Sequence, residues 1–510
     1  LLVTVIAIFV VEGLYFSRTL VFSDDEQGYL AVGLLAARRT VSLYQDELLG
    51  LRMPLPFYVL GASQLLWGQH LWAARLLSLG FAIGVLWLTI RTGTQLGGAL
   101  SGVLAGAFLA TQGAIVAYFS TAGYHAFTAF ALMGTLQFYV GRDFPRRNLL
   151  AAAATGVLFL TRTHVLPLVP FFLGVALIQS RSVRERLLVG ALGALAPVSF
   201  FLWDDRHWKL LAYVPLLDRL VAPFGYKSVF YFYEYFQPTV WDQLWSIALF
   251  ARRYESWVLA GGALVLAFLW SHARGYEPRV APTPDVRFVA VLLAYSLGWL
   301  AIIFGPYYLK VAIAYFPTFA PLAAVLLGWA FSRVLTSVQW DAVAKGMTVV
   351  GLIVGLVVSV VFPRNPLLPV PAGRLFADDA VARLERISAR FRELLPPGSR
   401  AFLVGDSMPL YLADRLPYLR QVFFPTTLAG KNEDPWLVMR NGVWGRQQIE
   451  EWLGKEAEYA VIAPKWLEAL RPTRERNIRR IEELLASHFE RVAVLDDYPW
   501  EQYEVYRRRL

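Results

Sequence analysis

The chain has 510 residues, of which 57% are hydrophobic and only 17% charged, with a formal net charge of +10 and no cysteine. A soluble domain carries about 25% charged residues, so this composition excludes an ordinary soluble enzyme, and the missing thiols exclude disulfides, thiolate metal sites and thiol catalysis. Apolar runs of about 18 to 20 residues recur through the first three quarters, which marks them as membrane spans, and the positive charge then reads as arginine at membrane faces instead of a nucleic-acid footprint.

In chain order, spans are expected over residues 1–20, 72–91, 97–115, 125–141, 148–163, 165–180, 187–203, 255–272, 287–304, 311–331 and 343–362. The segment from Leu1 to Tyr15 is not followed by a small-residue cleavage site, so it is expected to be a retained span and not a signal peptide. The basic connectors GRDFPRRN (141–148), QSRSVRER (179–186) and SHARGYEPR (271–279), with Arg91 and Arg333, belong in the cytoplasm by the positive-inside rule. Parity then turns on PLPFYVLGASQLLWG, residues 54–68, which is apolar but short and interrupted. Reading it as interfacial or re-entrant places residues 21–71 outside and every basic connector inside. The fold class expected is a polytopic α-helical membrane protein of about 11 spans, roughly 10–13. The other external pieces are the turns at 118–125, 161–165 and 305–310, the loop 204–255, and the tail after Pro363. Gly98, Gly102 and Gly106, four residues apart, are expected to pack helices together.

The tail has normal charge density. Residues 378–395 read as a surface helix, 400–406 as a strand and turn, 458–464 as a strand, 473–488 as a helix and 489–498 as a strand. Alternating strands and helices make an external α/β domain over 366–510, after a transmembrane domain over 1–365. Asp406, at a strand end, reads as a structural turn in preference to a functional carboxylate.

The stretch FSDDEQGYL, residues 22–30, sets Asp24, Asp25 and Glu26 directly after the first span. Adjacent carboxylates repel and are costly to bury unpaired. They are either a solvated loop, a general base, or a divalent-cation site at the membrane face. Tyr29, Leu30, Val32 and Leu34 to Ala37 form an amphipathic pattern suited to lying on the bilayer. Cations and polar groups stand at other external turns: Arg52 in the same loop, Arg162 and His164 in TRTHV, and Lys310 in GPYYLK. Cations opposite carboxylates suit a reaction on an anionic lipid, the cation holding phosphate and the carboxylate taking the proton. Snorkelling to headgroups is the bland reading of Arg162 and Lys310. The histidines form no metal cluster.

The order of a first span, an Asp-Glu pair opening a large external loop, and the element RMPLPFY (Pro54 to Tyr58) resembles the polytopic GT-C glycosyltransferases. The span AARLLSLGFAIGVLWLTIRTG, residues 73–93, adds to the likeness. Within that superfamily the chain is similar to the protein O-mannosyltransferase-like group, which includes the lipid A aminoarabinose transferases. The resemblance implies a GT-C fold and a polyprenyl-phosphate-linked sugar as donor. It implies inverting transfer to a protein, lipid or polysaccharide acceptor at the outer face of the bacterial cytoplasmic membrane. Magnesium or manganese is needed in some members only. Carried onto this sequence, it makes Asp25 the general base and the one candidate metal ligand, with Asp24 or Glu26 as fallback. Tyr58 belongs to the second element. The second external turn, STAGYHAF, has Tyr124 and His125 where many members have an acid, which argues against a two-carboxylate metal site. TRTH offers Arg162 where a lysine is common, and YYLKVAIAYFPTFAP offers Tyr307 and Lys310, the latter as phosphate contact. The competing classes are a transporter or flippase for a lipid or glycan, an oligosaccharide ligase or polymerase, and a non-catalytic scaffold. Conspicuous carboxylates at a membrane face, and no evident duplicated half, favour surface chemistry over transport.

Overall fold

The computed structural model describes residues 1–20, 26–43, 53–141, 145–203, 207–208, 239–275, 282–304, 314–337, 340–361, 379–423, 427–429, 443–496 and 502–509. The described chain forms two compact units.

The first unit comprises Leu1–Ser17, Leu76–Leu202 and Phe236–Leu375. Every expected span has a helix. In order these are α1 (Leu2–Thr19), α4 (Leu71–Gly97), α5 (Ala99–Ala110) with α6 (Gly113–Phe119), α7 (His125–Leu136), α8 (Arg147–Phe159), α9 (Leu168–Gln179) and α10 (Val183–Trp203). After the amphipathic α11 (Val240–Arg253) come α12 (Glu255–Ala273), α13 (Pro284–Phe304), α14 (Ala320–Thr336) and α15 (Ala342–Val361). Among the described residues five helices are long and apolar enough to cross a membrane, or six if α5 and α6, bent by 75°, make one broken span. The other expected spans are apolar helices of 10–17 residues, so a count near 11 rests on these shorter elements.

Without water there is no hydrophobic drive between spans, so close backbone approach must supply the packing. A Cβ at Gly102 would lie 2.0 Å from Thr94 Oγ1 of α4, one at Gly328 of α14 would lie 2.5 Å from the Ala105 nitrogen of α5, and one at Gly351 of α15 would meet Ala263 of α12 at 2.1 Å. Gly106 is likewise packed, against Ile90. Gly98 departs from the expected trio: its φ is +85°, nothing would meet its Cβ, and it caps α5. At the α5–α6 break the backbone is held by Gln112, whose Nε2 donates to the Arg253 carbonyl (2.8 Å) and whose Oε1 accepts from Ser256 Oγ (2.7 Å). A broken span needs such partners for its freed polar groups.

The second unit comprises Arg18–Arg75, Trp203–Tyr235 and Phe376–Leu510. Residues after the first span, assigned by sequence to the transmembrane domain, therefore pack with the C-terminal residues. Helix α2 (Glu26–Ala37) crosses α3 (Leu55–Trp67) at a glycine pair, where a Cβ on Gly61 would lie 2.0 Å from the Gly33 carbonyl oxygen. The amphipathic bilayer helix expected from Tyr29 to Ala37 is not what forms. Tyr29, Leu30, Val32, Leu34 and Ala36 are all buried, and the Tyr29 ring packs tilted against Phe57 at 4.4 Å. The helix lacks a polar face because α3 and C-terminal residues cover it on several sides.

The α/β domain opens with α16 (Ala380–Leu394), capped by Asp379, whose side chain accepts from the Ala382 amide at 3.0 Å. Strand β1 (Ala401–Val404) leads to α17 (Met408–Leu412), a π-helical run (Ile449–Glu456), β2 (Tyr459–Ile462), α18 (Pro464–His488), β3 (Phe489–Leu495) and β4 (Tyr503–Arg508). The sheet order is β1-β2-β4-β3, with β1 and β2 parallel and β4 antiparallel to both neighbours. Its core gathers Phe402, Trp444, Ile462, Ile478, Ile481 and Phe489. Asp406 is the turn residue expected: its Oδ1 accepts from the Met408 amide at 2.9 Å. Within this unit Tyr411 of α17 donates to Gln64 Oε1 of α3 at 3.0 Å, and burial pushes its phenol above the ordinary pKa.

Replacing Gly61 by Ala tests the α2–α3 crossing. Helix propensity favours alanine by about 1 kcal/mol, but overpacking against backbone costs about 3 kcal/mol, so the variant melts at lower temperature. Gly80→Ala, where nothing lies within 4 Å of the added carbon, is the control and melts no lower than the parent. Equal melting of both variants in detergent would refute the crossing.

Candidate active site

The acidic stretch is anchored at its C-terminal end. Glu26 opens α2, where a carboxylate complements the helix dipole. Its side chain is fully buried, and both oxygens accept from Arg75: Oε1 from Nε at 3.0 Å and Oε2 from Nη2 at 2.8 Å. Nη1 of the same guanidinium donates to the Leu20 carbonyl at 2.8 Å. One arginine thus ties the residue after α1 to the first residue of α2. The five residues in between, 21–25, include Asp24 and Asp25, and they lie outside the described residues. Arg52, Tyr307 and Lys310 lie outside them too. Tyr58 sits on α3 and is 47% exposed.

A second cluster forms in the first unit from three separate turns. Arg162, in extended backbone before a short 3₁₀ turn at Thr163–Val165, lays its guanidinium over the Tyr124 ring at 4.0 Å, with the Tyr315 ring at 6.0 Å. The Tyr124 ring packs tilted against His125 at 4.0 Å, and His164 lies 4.8 Å from Tyr315. His164 Nε2 shares a hydrogen bond with Thr318 Oγ1 at 3.1 Å, while its Nδ1 has no hydrogen-bond partner among the described residues. Tyr124, His125, Arg162 and His164 are each at most 8% exposed. Four residues selected from sequence therefore meet. An arginine enclosed by aromatic faces is held in place through its ring contacts, and a guanidinium is the side-chain group whose planar fork matches phosphate oxygens.

Tyr315 and Thr318 were not singled out by sequence reading. Their signal lay in Pro317 and Pro321, which mark an irregular entry into α14 and so place side chains at a helix mouth. Among the described residues no three His, Cys, Asp or Glu side chains group as a metal site.

No family model matches the chain, and no curated protein matches it. Its apolar helices are those of a multi-pass membrane protein, and its fold is shared with the solved structures that follow. The chain is similar to crystal structures of ArnT from Cupriavidus metallidurans. For the apo state the TM-score is 0.57 at 15% identity, covering 99% of this chain and 97% of that one. For ArnT bound to undecaprenyl phosphate it is 0.55 at 14% identity, covering 99% and 96%. The archaeal oligosaccharyltransferase AglB from Archaeoglobus fulgidus, in complex with an inhibitory peptide and a dolichol-phosphate, gives 0.51 at 11% identity, covering 96% and 72%. At these identities the likeness is one of fold, and it agrees with the GT-C resemblance read from the sequence.

The Glu26–Arg75 pair is testable by a double-mutant cycle. Arg75→Met or Glu26→Leu alone strands a buried charge and costs about 3–5 kcal/mol, whereas the two together recover most of that loss. Single substitutions costing under about 1 kcal/mol in detergent melts would show the pair to be solvated.

Proposed function

We propose that the protein is an inverting glycosyltransferase that moves a sugar from a polyprenyl-phosphate donor to an acceptor at the outer face of the cytoplasmic membrane. The observation that carries this reading is the buried Arg162 held between tyrosine rings at a turn between apolar helices, in a fold shared with ArnT bound to undecaprenyl phosphate. Asp25 is the general base: it takes the proton from the acceptor hydroxyl or amine as that atom bonds to the anomeric carbon. The bond from that carbon to the lipid phosphate oxygen breaks, and the phosphate leaves with the electron pair. Arg162 and Lys310 stabilise the charge that grows on it, with Tyr307, Tyr124, His125 and His164 lining the phosphate side. Glu26, whose oxygens are committed to Arg75, anchors the loop that carries Asp24 and Asp25. Asp25 is the residue that would hold a divalent cation, which would supply positive charge toward the leaving phosphate. Arg52 and Tyr58 contact the substrates from the first external loop.

The test is mass-resolved loss of sugar from a panel of polyprenyl-phosphate sugars, with protein in nanodiscs, with and without magnesium or manganese. Asp25→Asn is expected to lower turnover by roughly 10²–10⁴-fold, the usual worth of a general base. Turnover equal to the parent would remove Asp25 from that role.

Arg162→Ala is expected to lower kcat/KM for the donor by roughly 10–100-fold, the loss of a charge-assisted contact. Arg162→Lys retains part of it. An unchanged kcat/KM in Arg162→Ala would remove the phosphate assignment and with it the observation on which the reading stands.

A further inference from the structure

We propose that the α/β domain carries a saccharide-binding site in the cleft where Tyr418 and Trp452 meet Arg400, Glu456, Arg415 and Asp414. The cleft has a volume of about 870 Å³, within the range of small-molecule sites. The inference concerns binding alone and does not depend on the transferase reading.

The first ground is an aromatic wall. The rings of Tyr418 and Trp452 are stacked, 4.7 Å apart and inclined by only 10°, and both line the cleft while remaining partly exposed. Trp452 is backed by the fully buried Trp444 at 6.2 Å, which packs edge-on against Phe402 of β1. The wall is therefore rooted in the domain core. A pyranose ring presents a face of C–H groups, and such a face packs on the electron-rich plane of an aromatic ring.

The second ground is the polar rim. Sugar hydroxyls both donate and accept, so a site for them needs both kinds of partner. Arg400 Nη1 donates to Glu456 Oε2 at 3.0 Å, and the Tyr418 hydroxyl donates to the same oxygen at 3.4 Å. Arg415 is aimed by its own bonds to the Leu395 carbonyl (2.7 Å) and the Asp414 carbonyl (3.0 Å), which engage Nε and Nη1. Its Nη2 and the Nε and Nη2 of Arg400 make no hydrogen bond to the described residues. Three arginines, Arg400, Arg415 and Arg420, and two carboxylates, Asp414 and Glu456, line the cleft and leave it one net positive charge. That balance suits a neutral sugar or one bearing a single acid. Two carboxylates on the rim oppose a polyanion.

The third ground is backbone geometry. Trp452 and Glu456 lie on the π-helical run Ile449–Glu456. Such runs are rare and are frequent at functional sites. This one is held by Arg508, which donates to the carbonyls of Leu453 (2.6 Å), Gly454 (3.1 Å) and Ala457 (2.7 Å). The departure from α-helix thus has dedicated hydrogen bonds supporting it.

The experiment is saturation-transfer NMR with the full chain in nanodiscs and soluble oligomers of mannose, glucose, N-acetylglucosamine and galacturonate. At least one is expected to receive saturation at its ring protons. Tyr418→Ala is expected to weaken that binding roughly 10-fold, as loss of a stacking face does, while Tyr418→Phe retains it. Arg400, whose side chain is 63% exposed, can be replaced by alanine without disturbing the core, and the expected loss is roughly 5-fold. A polyprenyl-phosphate sugar added as competitor separates two sources of the same chemistry. Displacement identifies the sugar of a lipid-linked donor, and no displacement identifies a soluble or acceptor glycan. No saturation of any oligomer, or equal binding by Tyr418→Ala with unchanged melting, overturns the proposal. Turnover is not read, so this result stands apart from the fate of the transferase reading.

Discussion

The second unit depends on the three-way grip of the Arg75 guanidinium. A carboxylate and an arginine with no solvent exposure are costly unless each hydrogen-bonding group is met. Here the fork takes both oxygens of Glu26 and the Leu20 carbonyl. Such a pair is weak evidence for stability, but it is strict about geometry, because a displaced partner leaves a bare charge in a dry site. It sets where α2 starts, and with it the end of the acidic stretch. From α2 the constraint passes to α3 through the Gly33–Gly61 crossing, and from α3 to α17 through Gln64 and Tyr411. A segment that follows the first span thereby becomes part of the same body as residues almost 400 positions later.

The first unit meets a different requirement. Its helices cannot be driven together by excluding water, so they rely on close approach at glycines and on polar groups that find partners within the bundle. Gln112 at the α5–α6 break illustrates the second device: one amide side chain satisfies a carbonyl and a hydroxyl from the α11–α12 junction. The Arg162 cluster applies the same economy to a charge. The Tyr124 ring lies against the guanidinium at 4.0 Å and the Tyr315 ring at 6.0 Å, so the cation is held by aromatic faces inside the bundle.

Much of this was legible from residues alone. Hydropathy located every apolar helix of the first unit, because the cost of exposing apolar side chains is summed over a local window and does not depend on partners, but the amphipathic α11 was read as part of the loop 204–255. The short interrupted run at 54–68 forms the 13-residue helix α3, which belongs to the second unit. In the C-terminal domain β1, β2, β3 and the helix preceding β3 appeared from local periodicity. Strand β4 was missed although it lies between β2 and β3. Its six residues alternate, with Tyr503 and Val505 buried, but Arg507 and Arg508 give it the look of a charged tail. The candidate residues of three turns were selected from sequence as separate mouths of spans, and Tyr315 and Thr318 were passed over beside the more conspicuous Lys310.

Composition and periodicity by themselves determined a membrane-spanning chain with a C-terminal α/β domain and polar and cationic residues at helix ends. Those properties follow from the free energy of each segment in its surroundings, which local sequence sets. Tertiary structure alone decided that Glu26 pairs with Arg75, that α2 is buried on several faces, and that Tyr124, His125, Arg162 and His164 share one site with Tyr315. Each of those facts is an agreement between residues far apart in the chain. A residue's own neighbourhood carries no record of the partner that will satisfy its charge or cover its face.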